Sequence, residues 1–341
     1  MAQAVQRDPS GDAPAFVKLV NLASARLGAR ALFANDDFFA EKENLVKDEV
    51  RIFIADKYTD RGKWMDGWES RRRREPGNDH CLLALGLTGV IRGVDIDTAH
   101  FLGNHPPRAR LSACCIDGNP NVEELADQDW TVLLSDVELQ PGSHNYFPIE
   151  SAERWTHLRL DILPDGGVAR LRVYGEVVPH WEEVLQRDEF DLLAVENGGL
   201  AVTCNDMFFS SQDNLIMPGR GVNMGDGWET KRRREPGHDW VILRLGRPGL
   251  AQRIVIDTAH FKGNFPDRAS IEGCFAKSDD DAVASSNWQT ILPESKLQAD
   301  HVHEFGSVEQ AGPFTHIRMN IFPDGGVSRL RIFGRAAEDA L

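Results

Sequence analysis

Long apolar runs are missing from this chain of 341 residues. None approaches the roughly 20 residues that a membrane-spanning helix needs. The stretch before Pro14 is polar, carries Asp8 and Asp12, and lacks the apolar core of a secretory signal. Residues 1–15 therefore read as a flexible tail. Cysteine is scarce, five residues with no Cys-x-x-Cys, which argues against a disulfide framework or a zinc ribbon and suits a reducing cytoplasm. Positive charge is in deficit: 38 Lys and Arg face 53 Asp and Glu, a net charge of −15. Such a field repels nucleic acid and anionic membrane alike. Tyrosine occurs three times, few for a sugar-stacking platform. What remains is globular in composition and too long for one ordinary core, pointing to two domains of about 150 residues each.

What is present is present twice. Asp66-Gly-Trp-Glu-Ser-Arg-Arg-Arg-Arg-Glu-Pro-Gly returns as Asp226-Gly-Trp-Glu-Thr-Lys-Arg-Arg-Arg-Glu-Pro-Gly. From there to Cys114 and Cys274 the copies align without a gap at an offset of 160, with 27 identities in 49 positions. Upstream, Asn35-Asp36-Asp37-Phe38-Phe39 is echoed by Asn205-Asp206-Met207-Phe208-Phe209 at an offset of 170, so the first copy holds ten extra residues around Asp48 to Arg61. A duplicated fold needs only its apolar pattern and turn glycines. Duplicated Arg, Glu, Asp, His and Asn point to a ligand.

Each copy closes on Thr-His-x-Arg-x-(Asp/Asn)-Ile-x-Pro-Asp-Gly-Gly-Val, from Thr156 and from Thr315. Leu158, Leu160 and Ile162 alternate with His157, Arg159 and Asp161, the period of a half-buried strand. Pro164-Asp165-Gly166-Gly167 is turn chemistry, and Arg170 to Tyr174 is the returning strand. Cys81–Leu85 and Val90–Thr98 also read as strands. The expected class is all-β, one sandwich per copy, with the first at 16–177, a connector at 178–199 and the second at 200–336. Pro179 opens a short helix within the connector. Cys114 and Cys274, equivalent in the repeat, are expected as buried core residues.

Gly67–Asp79 followed by Ile96–Pro106, and again Gly227–Asp239 followed by Ile256–Pro266, resemble the allantoicase repeat. The resemblance covers about residues 16–336. It implies two tandem jelly-roll β-sandwiches of the galactose-binding-like type. It also implies a hydrolase of C–N bonds in linear amidines, converting allantoate to ureidoglycolate and urea in purine catabolism. One departure separates the copies: the second reads His238-Asp239-Trp240, the usual wording, and the first Asn78-Asp79-His80.

A site for allantoate needs a cationic fork for its carboxylate, polar partners for two ureido arms, and proton-transfer groups. Guanidinium binds carboxylate bidentately, which nominates Arg72, Arg73 and Arg74 with Arg232, Arg233 and Arg234. The alternative is a solvated loop, or pairing to Glu69 and Glu75. Glu69 and Glu229 lie beside these arginines, whose charge is expected to depress the carboxyl pKa. That suits hydrogen-bond acceptors positioning the ureido arms, or structural ion pairs. Proton transfer is assigned to Asp97 and His100 and to Asp257 and His260, with Asn104 and Asn264 as binding residues of the same block. On a strand Asp97 and His100 face opposite ways, so the strand is expected to end near Ala99, ahead of Gly-Asn-x-Pro. Histidine exchanges protons near neutral pH; the alternative is a buried His capping a turn.

His144 aligns with His303 at an offset of 159, and both are taken as binding residues. His301-Val-His303 has the look of a metal pair, but the first copy lacks the partner His, and no metal or other cofactor is called for. His157 and Arg159, with His316 and Arg318, share the polar face of the closing strand. They either line the same surface as the loop arginines or face solvent. Trp68 and Trp228 are expected to pack rather than to stack on substrate. Two other functions stay open: a non-catalytic sandwich binding a small anion or sugar, and a cupin-like metalloenzyme. An acidic cytosolic enzyme of this kind is expected to form a homo-oligomer.

Overall fold

The computed structural model describes residues 13–337; most of the tail at 1–15 lies outside the described residues. The chain divides into two compact units between Val178 and Pro179. Each is a jelly-roll β-sandwich of antiparallel strands.

In the first unit one strand of 19 residues, Asp79–Asp97, serves both layers. The stretches read separately as Cys81–Leu85 and Val90–Thr98 are its two halves. The first half lies between Arg30–Ala34 and the closing strand Arg154–Leu163, and the layer continues through Arg108–Cys114 to Thr131–Glu138. Its register with the closing strand breaks between Ala84 and Gly89. The second half then pairs with the returning strand Arg170–Val177 and with Tyr146–Pro148. Leu83, Ile91, Val94, Ile96, Leu158, Leu160, Ile162, Leu171 and Val173 fill the space between the layers. Each fully buried side chain of this kind is worth about 1.5–3 kcal/mol. The alternation of the closing strand is thereby explained: its leucines face the core, and His157, Arg159 and Asp161 face away.

The second unit repeats the plan around Asp239–Asp257. Its first half lies between Leu200–Cys204 and Phe314–Phe322, the latter leading to Arg268–Cys274 and Gln289–Lys296. Its second half pairs with Arg329–Ala336 and Val302–Phe305. Of the connector 178–199, Trp181–Val184 is the short helix expected after Pro179. Residues 190–199 belong to this sandwich: Phe190–Asp191 pairs with Arg329–Ala336, and Leu192, Leu193 and Val195 are buried. All five cysteines are free, with Cys114 and Cys274 buried.

Candidate active site

The Pro-Asp-Gly-Gly turn does more than reverse the chain. Asp165 Oδ2 accepts the Arg73 backbone N–H at 2.9 Å, Gly166 O accepts that of Ser70 at 3.1 Å, and Gly167 donates to Asn104 O at 2.8 Å. Gly167–Val168 also pairs with Trp68–Glu69. One turn thus anchors the arginine loop, Glu69 and the Asn104 loop. Glycine is required there: Gly166 has φ +140°, and a Cβ on Gly167 would lie 2.0 Å from the Phe101 ring. The second unit reproduces the hub through Asp324, Gly325 and Gly326, holding Arg233, Thr230 and Asn264. Trp68 and Trp228 are fully buried, each indole N–H bonded to the carbonyl of Asp36 or Asp206, so their role is packing.

Held by this turn, Glu69 Oε1 accepts from Asn104 Nδ2 at 2.7 Å, and Glu229 accepts from Asn264 in the same way. The expectation of a depressed carboxyl pKa is corrected. Burial pushes both Glu69 and Glu229 above the usual carboxylate range, and the Asn bond opposes it without reversing it. Adjacency in sequence misled because the guanidinium groups turn elsewhere. Arg73 bonds Asp79 at 2.7 Å and Arg233 bonds Asp239 at 2.8 Å, so both are structural ion pairs rather than substrate forks. Arg72 stands exposed with Nε 3.8 Å from Asp165, and Arg74, Arg232 and Arg234 are exposed as well.

The long strand ends at Asp97, two residues before the expected break, and Asp97 Oδ1 caps the chain by accepting from Ala99 N at 2.8 Å. His100 follows in a left-handed conformation, φ 70°, and lies exposed against Phe53, rings stacked at 5.4 Å. Phe53 and Arg51 belong to the segment that leads into the ten extra residues; the Ile52 N–H on Asp66 matches the Val222 N–H on Asp226, so the offset of 170 holds through Ile52 and the extra residues follow it. Arg51 Nε meets Asp97 Oδ2 at 3.0 Å, and its NH2 meets His144 Nε2 at 2.7 Å. His144 Nδ1 in turn meets Asp95 Oδ2 at 2.6 Å. Burial raises the Asp97 pKa, against the lowering effect of Arg51. The bond to Asp95 pulls the His144 pKa up, against burial and the Arg51 charge. The Arg51 contact fixes the ring's state more firmly than that upward pull. Guanidinium can only donate, so Nε2 accepts and the ring is neutral with its proton on Nδ1.

This chain of four polar side chains is confined to the first unit. The main chain aligns the copies here at an offset of 158, not 159. Asn145 bonds Ile96 O and accepts from Gln140 N, just as His303 bonds Ile256 O and accepts from Gln298 N. His144 therefore corresponds to Val302, and Asp95 to Val255. His303 spends both ring nitrogens on backbone and leaves the binding set; the His-x-His pair loses its metal reading with it. Asp257 keeps an arginine partner, Arg220 Nε at 3.1 Å. His260, also left-handed at φ 72°, is tied through Nε2 to Gly221 O at 2.8 Å.

The closing-strand residues stand apart from the Asp97 cluster. His157 is buried with Nδ1 against Thr156 Oγ1, and burial lowers its pKa. His316 is buried between Thr315 and Asp279, while Arg159 pairs with Asp161 and Arg318 with Glu272. These four make internal networks on the outer face of their sheet. Arg51, Asp95, Asp66 and Arg170 escaped the sequence reading. Arg170 is buried and bonds Asp66 at 2.8 Å, as Arg329 bonds Asp226 at 3.0 Å; their duplication was a usable signal. Among the described residues no group of three or more His, Cys, Asp or Glu is placed to hold a metal ion.

A family model, the allantoicase repeat, matches residues 20–178 and again residues 190–337. A probable allantoicase of Photobacterium profundum is 50% identical over 327 residues, covering 95% of this chain and 98% of that protein. One from Ralstonia nicotianae is 50% identical over 332 residues, covering 96% and 97%. Among solved structures, the allantoicase of Saccharomyces cerevisiae is 36% identical and superposes with a TM-score of 0.80 over 93% of both chains.

Proposed function

This chain belongs to the allantoicase family and acts on allantoate in purine catabolism, and on that premise we propose that it cleaves a C–N bond at the substrate's central carbon with a half-buried glutamic acid as proton donor. The observation that carries this reading is the duplicated Glu–Asn pair, Glu69 with Asn104 and Glu229 with Asn264, whose carboxyl groups burial holds toward the protonated form. A carboxyl shifted toward its protonated form is a better proton donor to a leaving nitrogen than an ordinary one.

In the proposed reaction Glu69 protonates the departing ureido nitrogen as its bond to carbon breaks, and that electron pair leaves with urea. The lone pair of the remaining ureido nitrogen forms a C=N bond to the same carbon. Water adds to that carbon, returning a proton to the Glu69 carboxylate, and the product is ureidoglycolate. The exposed guanidinium groups of Arg72 and Arg74 take the substrate carboxylate, with Arg232 and Arg234 in the equivalent place. Asn104 fixes the carboxyl that moves the proton.

The test is urea release from allantoate by the double variant Glu69→Gln with Glu229→Gln. Gln keeps the shape and the bond to Asn but carries no exchangeable acid proton. A loss of about 10² to 10⁴ in kcat is expected. A rate within threefold of wild type would sink the proton-donor assignment.

A further inference from the structure

The two repeats share a frame and differ at one end of it. In the first, the chain Asp95–His144–Arg51–Asp97 ties the segment around Arg51 to the end of the long strand. In the second, Val255 and Val302 occupy the places of Asp95 and His144. There the arginine side chain is 60% exposed, against 19% for Arg51.

We propose that turnover belongs to the first repeat, and that His144 is the positioning residue responsible, accepting from Arg51 so that the segment at 51–53 is clamped over the strand end with Phe53 seated on His100. The proposal rests on the allantoate-hydrolysing reading above. Two successive anchors fix this segment: Arg51 on Asp97 and His144, particular to the first repeat, and the Ile52 backbone N–H on Asp66 Oδ2 at 2.9 Å, which recurs as Val222 N–H on Asp226 Oδ2 at 3.0 Å. Phe53 is the next residue, so its position over His100 follows from those anchors. The second repeat keeps the left-handed histidine and turns it into a structural group, because His260 Nε2 is held by Gly221 O. The same backbone therefore presents an open imidazole under an aromatic cover in one repeat and a tied imidazole in the other.

The clamp has a charge requirement. Facing His144 are Asp95 and Asp97 from the long strand, Arg51 from the segment ahead of the insertion, and Tyr146 stacked on its ring at 5.5 Å. Arg170 and Arg172, register partners of Asp97 and Asp95, lie on the adjoining strand, and Asp48 lies near Arg172. Protonating Nε2 removes the lone pair that accepts from Arg51 and sets two cations against each other. The neutral ring is the working form, so rate falls as pH drops through the His144 pKa.

The experiment gives the first repeat the pair that the second already has, Asp95→Val with His144→Val, and follows urea release from allantoate by the full chain. A fall in kcat of about tenfold or more is expected, with KM changed less than about threefold. His144→Gln, whose amide donates to Asp95 and accepts from Arg51, is expected to hold kcat within about threefold and to lose the acid limb of the pH profile. Val302→His, in the second repeat, leaves the rate unchanged. The proposal is overturned if the Val–Val variant keeps kcat within twofold of wild type, or if His144→Gln retains the wild-type acid limb. An active Val–Val variant beside an inactive Glu69, Glu229 double variant removes this proposal alone. Persistence of activity in that double variant removes the proton-donor assignment of Glu69 and Glu229 and leaves this proposal to be decided by the Val–Val and Gln variants.

Discussion

Replacing Asp191 by Asn should make the second sandwich more stable as the solution becomes less acidic. Asp191 is buried at the start of that unit, its Oδ1 accepting from Leu193 N at 3.0 Å and Ile332 N at 3.1 Å. Arg331 lies 3.5 Å away. Burial pushes the carboxyl up to about 6 from an ordinary 3.8, although Arg331 and the two backbone bonds pull the other way. A folded-state pKa above the unfolded one gives stability that is complete below the ordinary value and is lost as pH rises through about 6. At about 1.36 kcal/mol per pH unit, that loss amounts to about 3 kcal/mol. The first sandwich shows what a neutral group does in this place: Asn21 Oδ1 accepts from Ala23 N and Val173 N at 3.2 and 2.9 Å. Asp191→Asn keeps the acceptor and removes the titration. The measurement is denaturant unfolding of wild type and variant from about pH 4 to pH 8, read by circular dichroism. The stability of the variant relative to wild type should climb by about 3 kcal/mol across that range. A difference that stays constant with pH would refute the reasoning, because it would mean that Asp191 titrates alike in the folded and unfolded chain.

Gly167→Ala forces a Cβ into the Phe101 ring and should cost about 1–3 kcal/mol, a loss visible in denaturant midpoints; because Gly167 pairs with Glu69, urea release should fall as well. Asp66→Ala strands the buried Arg170 guanidinium and should destabilise the first sandwich by about 3–5 kcal/mol. Adding Arg170→Met to that variant should recover most of the loss, and failure to recover would show that the cation was not the source of the penalty.

The frame was readable because its signals are local. The alternation from Leu158 to Ile162, the turn at Pro164 and the doubled glycines report on neighbours one or two residues away, and the structure places them as read. Trp68 was correctly taken as packing on its area alone. What stayed hidden depends on groups distant along the chain. Arg51 meets Asp97 and His144 only because its segment folds back over the strand end, and a one-residue slip in alignment made His144 look like His303. The acidity of Glu69 was misread for a related reason. Neighbouring arginines matter electrostatically only if their side chains turn toward it, and Arg73 turns to Asp79. Asp95 offered no signal at all, since its counterpart is Val255 and duplication was the guide.

The turn at 164–167 holds its three loops largely through main-chain amides and carbonyls, groups that every residue other than proline carries. Side chains along those loops can therefore be exchanged without moving the scaffold that displays them. A gene duplication on such a frame produces two mounts of equal geometry, and one of them is free to drift toward a different occupant while the other keeps its trade. For protein engineering the same property makes the second sandwich the natural place to install new specificity, with the first left intact as an internal reference.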